Sequence, residues 1–107
     1  MLQAVSAVAR VAGSTEIPAS QVLTFLAVAF RGEAPMAELA EATGVVLSSV
    51  SRNVAKLGPG ATPKDPGLGL LQAKEDPWNR KRKLVSLTKA GEELAAAVER
   101  YVARAAR

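Results

Sequence analysis

Apolar residues recur three or four positions apart over most of this chain, and the recurrence breaks at glycine and proline. Leu2, Val5, Val8, Ala9 and Ala12 share one helical face before Gly13 and Ser14, which predicts an N-terminal helix over residues 1–12. A second helix is predicted from Pro18, where a first-turn proline costs no hydrogen bond, to Arg31, with Gly32 placed to end it. Its inner stripe reads Val22, Leu23, Leu26, Ala29 and Phe30; Phe25 and Val28 fall outside, so this helix is apolar on more than one side. Pro35 opens a third helix, with Met36, Leu39, Ala40 and Thr43 on one face, Glu38 and Glu41 turned away, and Gly44 as its end. After a turn at Val45 and Val46, a fourth helix is predicted over Leu47–Leu57, with Val50, Val54 and Leu57 inward and Ser48, Ser49, Ser51, Arg52 and Lys56 outward.

Residues 58–69, GPGATPKDPGLG, hold four of the eight glycines and three of the six prolines, which predicts a loop. Leu70 to Glu75 and Arg82 to Leu87 read as two strands joined by a turn at DPWNRK, so residues 70–87 form a β-hairpin in which Val85 and Leu87 point inward. Thr88 is a good N-cap for a last helix over 88–106, where Gly91, Leu94, Val98, Tyr101, Val102 and Ala105 make a continuous stripe. The predicted order is therefore four helices, a hairpin and a helix, a mainly α fold. At 107 residues the expectation is a single domain with one core.

Charge is segregated along the chain. The formal excess of +4 conceals a middle stretch, residues 47–91, with nine basic and three acidic side chains, whereas residues 1–46 hold two basic against four acidic. Such a stretch suits a surface facing phosphates, although solvated loops are often lysine-rich as well. Histidine and cysteine are both absent, which removes the commonest metal ligand, the commonest general base and all thiolate chemistry. No glycine-rich phosphate loop leads out of a strand and no acids cluster with metal spacing, so neither an enzyme, a metal site nor a cofactor is expected. No apolar run is long enough to span a bilayer, and Arg10 interrupts the apolar start, which argues against a targeting peptide and for a cytoplasmic protein without membrane contact.

The run AELAEATGVVLSSVSRNV, residues 37–54, carries the spacing of a helix-turn-helix. Ala40 is small where two helices cross, Gly44 can adopt the positive φ that ends the first helix, and Val50 fills the wedge between them. An ordinary αα-hairpin can share this spacing. The segment beyond it is more specific: a basic β-hairpin with Arg80, Lys81, Arg82 and Lys83 in succession. Adjacent cations repel one another and gain nothing from folding, so they point to an anionic partner whose phosphates they neutralise. Hydroxyl and basic groups on the outer face of 47–57 suit a groove where base edges and phosphates accept hydrogen bonds.

Together, LAEATGVVLSSVSRNVAKL and DPWNRKRKLVSLTKAGEELA resemble the MarR-type winged helix-turn-helix regulators of transcription, especially the short members encoded by bacteriophages. The resemblance covers most of residues 18–105. It implies a winged helix-turn-helix at 35–57, a recognition helix over 47–57 in the major groove of double-stranded DNA, and a wing on the adjacent backbone or minor groove. The residues expected to touch DNA are Ser48, Ser49, Ser51, Arg52, Lys56, Trp78, Asn79, Arg80, Lys81 and Arg82. It also implies a homodimer, while the short chain gives no specific sign of a small-molecule effector. Three departures stand out: the 58–69 loop is long for the family, the chain is short, and Asn79 stands where a second acid often helps to orient a wing arginine, leaving Asp76 to do so alone. For Arg52 the alternative is pairing with an acid such as Glu41, and for Trp78 it is folding back on its own hairpin. The rival function keeps the fold and uses the basic surface to bind an acidic protein partner.

Overall fold

The computed structural model describes residues 18–62 and 65–105. The helix predicted over 1–12 lies outside the described residues. The described elements run α1 (Ala19–Arg31), β1 (Glu33–Pro35), α2 (Met36–Thr43), α3 (Leu47–Leu57), β2 (Gly60–Thr62), β3 (Asp65–Pro66), β4 (Leu71–Asp76), β5 (Asn79–Leu87) and α4 (Lys89–Ala105). Three helices and a three-stranded antiparallel sheet of order β1-β5-β4 enclose the main core. Phe25, Val28, Leu39, Val50, Val54, Leu57, Leu71 and Val85 are buried there. A second, smaller cluster joins Val22 of α1 to Val98 of α4, with Leu26, Leu94, Tyr101 and Val102 packed around it.

The inner stripe of α1 differs from the one expected. Val22, Phe25 and Val28 are buried with Thr24, whereas Phe30 is 92% exposed. The helix is apolar on most of its circumference, so periodicity alone leaves its rotation undetermined; α2 and α3 take the Phe25–Val28 side, and Leu26 is left between the two clusters. Gly32 and Gly44 end α1 and α2 at φ 83° and 75°, conformations that side chains with a Cβ adopt only with strain.

Three β segments depart from expectation. Residues 33–35, predicted to be a link, form β1 and pair with β5 through Ala34↔Val85. The wing turn is tighter than DPWNRK: β4 and β5 are joined by Pro77 and Trp78 alone, so Arg80 and Lys81 lie in a strand. The 58–69 segment is not a plain loop but carries the small ribbon β2–β3, in which Gly60 pairs with Pro66. Short glycine- and proline-rich strands give no alternation to read, and these are held by their ends. Amides of Leu68, Gly69 and Leu70 donate to the carbonyls of Lys56, Gly58 and Leu57 at 3.0, 3.0 and 2.7 Å, so the returning segment satisfies acceptors at the C-terminal end of α3. Gly67 permits this closure, since a Cβ there would lie 2.0 Å from the Gly58 carbonyl oxygen.

The base of the wing and the last helix are joined at one residue. The Leu70 amide donates to Leu57, and its carbonyl accepts from the Thr88 amide at 3.0 Å. Thr88 then caps α4: its hydroxyl accepts from the Gly91 amide at 3.1 Å and donates to the Gly69 carbonyl at 2.6 Å.

Candidate nucleic-acid interface

The helix α3 presents its charged and hydroxylic residues outward because its other face is taken. Val50, Asn53, Val54 and Leu57 are buried; Ser48, Ser51, Arg52 and Lys56 are exposed, and Ser49 is half-buried. The Arg52 guanidinium donates to the Ser49 hydroxyl at 3.3 Å, and among the described residues no carboxylate, Glu41 included, pairs with it. Ser49 therefore steadies Arg52 while leaving most of the guanidinium open to solvent. At the start of α3, Val46 and Leu47 are exposed as well.

The wing has its own architecture. Its register steps from Glu75↔Lys83 to Asp76↔Asn79, so Arg80, Lys81 and Arg82 lie between these pairs with no residue of β4 opposite them in register. A bulge of this kind re-aims side chains. Arg82 turns back onto Asp76, donating through Nε at 2.9 Å and Nη2 at 2.5 Å to the same carboxylate oxygen, Oδ2. The other oxygen, Oδ1, accepts from the Trp78 amide at 2.9 Å and so closes the turn. Asp76 is only 2% exposed, and the Trp78 amide, followed by the Arg82 guanidinium, holds its carboxyl below the usual carboxylate range. The acid thus orients the arginine with no help from a side chain at position 79, where the backbone amide also supports the Asp76 carboxylate; the Asn79 side chain instead accepts from the Lys81 amide at 3.2 Å.

Of the remaining wing residues, Arg80, Lys81 and Lys83 are exposed and have no acidic partner among the described residues. Lys74 is paired with Glu33 at 3.1 Å. Trp78 does not fold back on the hairpin: it is 94% exposed at the tip. An apolar ring of that size held in water by a tight turn is available to whatever the wing meets.

Helix and wing meet in a cleft of about 500 Å³, lined by Pro35, Met36, Leu47, Ser51, Lys81, Arg82 and Lys83. Ser51 of α3 and three consecutive cations of β5 therefore border one concavity, although they are about thirty positions apart in sequence. A second, larger cleft of about 730 Å³ opens between α1 and α4, lined mainly by Leu26, Ala29, Phe30, Ala95, Val98 and Val102. Among the described residues no helix is long and apolar enough to cross a membrane, and no His, Cys, Asp or Glu side chains group as a metal site.

The same arrangement of helices and wing occurs in solved structures. The PcaV transcriptional regulator from Streptomyces coelicolor, in complex with its natural ligand, matches 85% of this chain with a TM-score of 0.68 at 24% identity. A mutant of MarR from E. coli complexed with operator DNA matches 94% with a TM-score of 0.71 at 17% identity. The fold is a MarR-type winged helix. Bordetella bronchiseptica BpsR, whose DNA binding is regulated by 6-hydroxynicotinic acid, shares this winged helix over 96% of the chain, with a TM-score of 0.68 and 19% identity. The chain spans 59% of the PcaV chain, 66% of the MarR chain and 68% of the BpsR chain. No protein-family model and no curated protein matches it in sequence.

Asn53 and Thr24 were not singled out by the sequence. Both are polar residues buried between α1 and α3. A polar residue on an amphipathic helix reads as solvent-facing unless its partner, here 29 positions away, is known.

Proposed function

We propose that this protein is a sequence-specific double-stranded DNA-binding regulator of transcription, acting as a homodimer with α3 in the major groove and the β4–β5 wing on the adjacent backbone or minor groove. The observation that carries this reading is the shared cleft, in which Ser51, from the exposed hydroxylic and basic face of α3, stands beside a run of wing cations. A duplex supplies both complements at once, base edges for the helix and phosphates for the wing. Ser48, Ser51, Arg52 and Lys56 take the groove; Arg80, Lys81 and Lys83 neutralise phosphates. Asp76 holds Arg82 in the orientation it presents, and Trp78 packs at the edge of the footprint. The exposed Phe30 and the apolar α1–α4 cleft supply the surface that a second copy covers, which gives two recognition helices for a two-fold operator.

The test separates reading from holding. A preferred duplex is first selected from a random pool. Arg52→Ala weakens binding to that duplex more than to random DNA, by roughly 1–3 kcal/mol for a bidentate guanine contact. Arg80→Ala with Lys81→Ala weakens both alike and flattens the dependence of log K on log salt by about 0.9 for each phosphate no longer neutralised. Folded variants that both bind every duplex as the parent does would refute the proposal and favour an acidic protein as the partner of this surface.

A further inference from the structure

We infer that the buried hydrogen bond between Asn53 and Thr24 sets the rotation of α3 about its own axis, making these two residues positioning residues for base recognition. The inference deepens the DNA-binding reading and rests on it.

Thr24 is fully buried and Asn53 is 7% exposed; apart from Asp76 in the wing, they are the buried polar residues among those described. The Thr24 hydroxyl donates to the Ser20 carbonyl one turn earlier in α1, at 2.9 Å. With its proton committed there, its lone pairs are left to accept, and Asn53 Nδ2 donates to it at 3.2 Å across the α1–α3 contact. The bond is directional on both sides. The packing of α3 along its buried side is otherwise apolar, since Val50, Val54 and Leu57 make contacts that tolerate small rotations, and its directional backbone bonds to Leu68, Gly69 and Leu70 lie at its C-terminal end, beyond Arg52.

This difference matters because Asn53 is the immediate neighbour of Arg52 in the chain. Side-chain ends on a helix lie ~6 Å or more from its axis, so a rotation of about 20° displaces the outer groups by ~2 Å. Hydrogen bonds to base edges need heavy-atom separations within a range of about 0.5 Å. A rotation that apolar packing would barely register is therefore enough to misalign Arg52 and Ser51. The net stability gained from such a pair is small, because both groups are hydrogen-bonded to water when unfolded. Its contribution lies in selecting one setting of the helix among several of similar energy.

Stability and positioning come apart when both partners are replaced by apolar groups of similar shape. The Thr24→Val, Asn53→Leu double variant leaves no unsatisfied polar group, and it is expected to melt at or above the parent temperature. Its preference for the selected duplex over random DNA falls at least tenfold, while its salt slope is kept. Thr24→Ser retains the hydroxyl and retains the preference. Should the double variant not fold, Thr24→Val alone is judged by the same ratio. A folded variant without the hydrogen bond that keeps the parent ratio overturns the inference. If the parent itself shows no preference between duplexes, the DNA reading fails first. Residual dipolar couplings then decide: an α1–α3 orientation altered in the double variant and kept in Thr24→Ser supports the positioning role, and an unaltered one overturns it.

Discussion

Substituting alanine for Gly91 tests whether α4 is seated as described, and the expected sign runs against helix propensity. Alanine is the better helix former by about 1 kcal/mol. Gly91, however, is buried in the first turn of α4, where an added Cβ would lie 2.1 Å from the Leu70 carbonyl oxygen and 3.3 Å from the Leu87 Cβ. Ordinary contact begins near 3.4 Å, so the helix start and the strand base must separate by more than 1 Å. The obstructing Leu70 atom is backbone and cannot swing away. The separation strains two bonds at once: Thr88 to Leu70 at 3.0 Å, and the Gly91 amide to the Thr88 hydroxyl at 3.1 Å. Overpacking costs about 1–3 kcal/mol and each weakened hydrogen bond about 1 kcal/mol. Set against the propensity gain, the expected net loss is about 2–4 kcal/mol. For a domain of this size that lowers the melting temperature by roughly 4–8 °C per kcal/mol. Thermal melting followed by circular dichroism measures it, with Ala96→Gly on the exposed side of α4 as the comparison for propensity alone. A Gly91→Ala protein that melts at or above the parent temperature would refute the packing of α4 on Leu70.

Four further outcomes are expected from the geometry. Val50→Asp places a carboxylate in the centre of the core and unfolds or loosens the protein by several kcal/mol, seen as loss of a cooperative melt. Gly67→Ala forces the 58–69 segment open, and hydrogen exchange then quickens at the amides of Leu68, Gly69 and Leu70 that close it onto the end of α3. Because the Asp76 carboxyl is held below its ordinary value of 3.8, its contribution to stability is present above that pH and disappears as pH falls through the depressed value. A melting series from neutral to strongly acidic pH shows this decline in the parent, and Asp76→Asn removes that component. Trp78 is the sole tryptophan, so its fluorescence reports the wing tip alone: solvent-exposed emission in the free protein, shifted or quenched on adding duplex, with Trp78→Ala melting as the parent does.

How much of this was legible in the sequence varies with how local the cause is. The spacing of Ala40, Gly44 and Val50 located the paired helices because crossing, turning and wedging each demand a residue type at a fixed interval. Thr88 was readable as a cap for the same reason, and the structure gives Gly91 a meaning beyond its place in a stripe. Periodicity fails on α1, where nearly every face is apolar and only the partners decide which is buried; Phe30, expected inward, stands in solvent. The strands at 33–35 and 60–66 are too short for alternation, and β1 exists because β5 offers it an edge. The basic wing was plain from composition. Its bulge was not, since a register shift depends on two strands at once. Thr24 and Asn53 remained unseen because each reads as an ordinary surface residue until the two helices meet.

Leu70 joins three parts of the molecule through a single residue, tying the end of α3 and the start of α4 to the root of the wing. Under the function proposed above, such a joint makes the molecule a fixed gauge: the interval between the helix proposed to read the groove and the hairpin proposed to hold phosphates is built in and does not stretch to suit a sequence. Any duplex that engages both must then bring its own backbone to that interval, by narrowing, rolling or bending. Sites that deform cheaply would gain an advantage that no side chain here confers, and the choice of site would extend to base pairs the protein never touches.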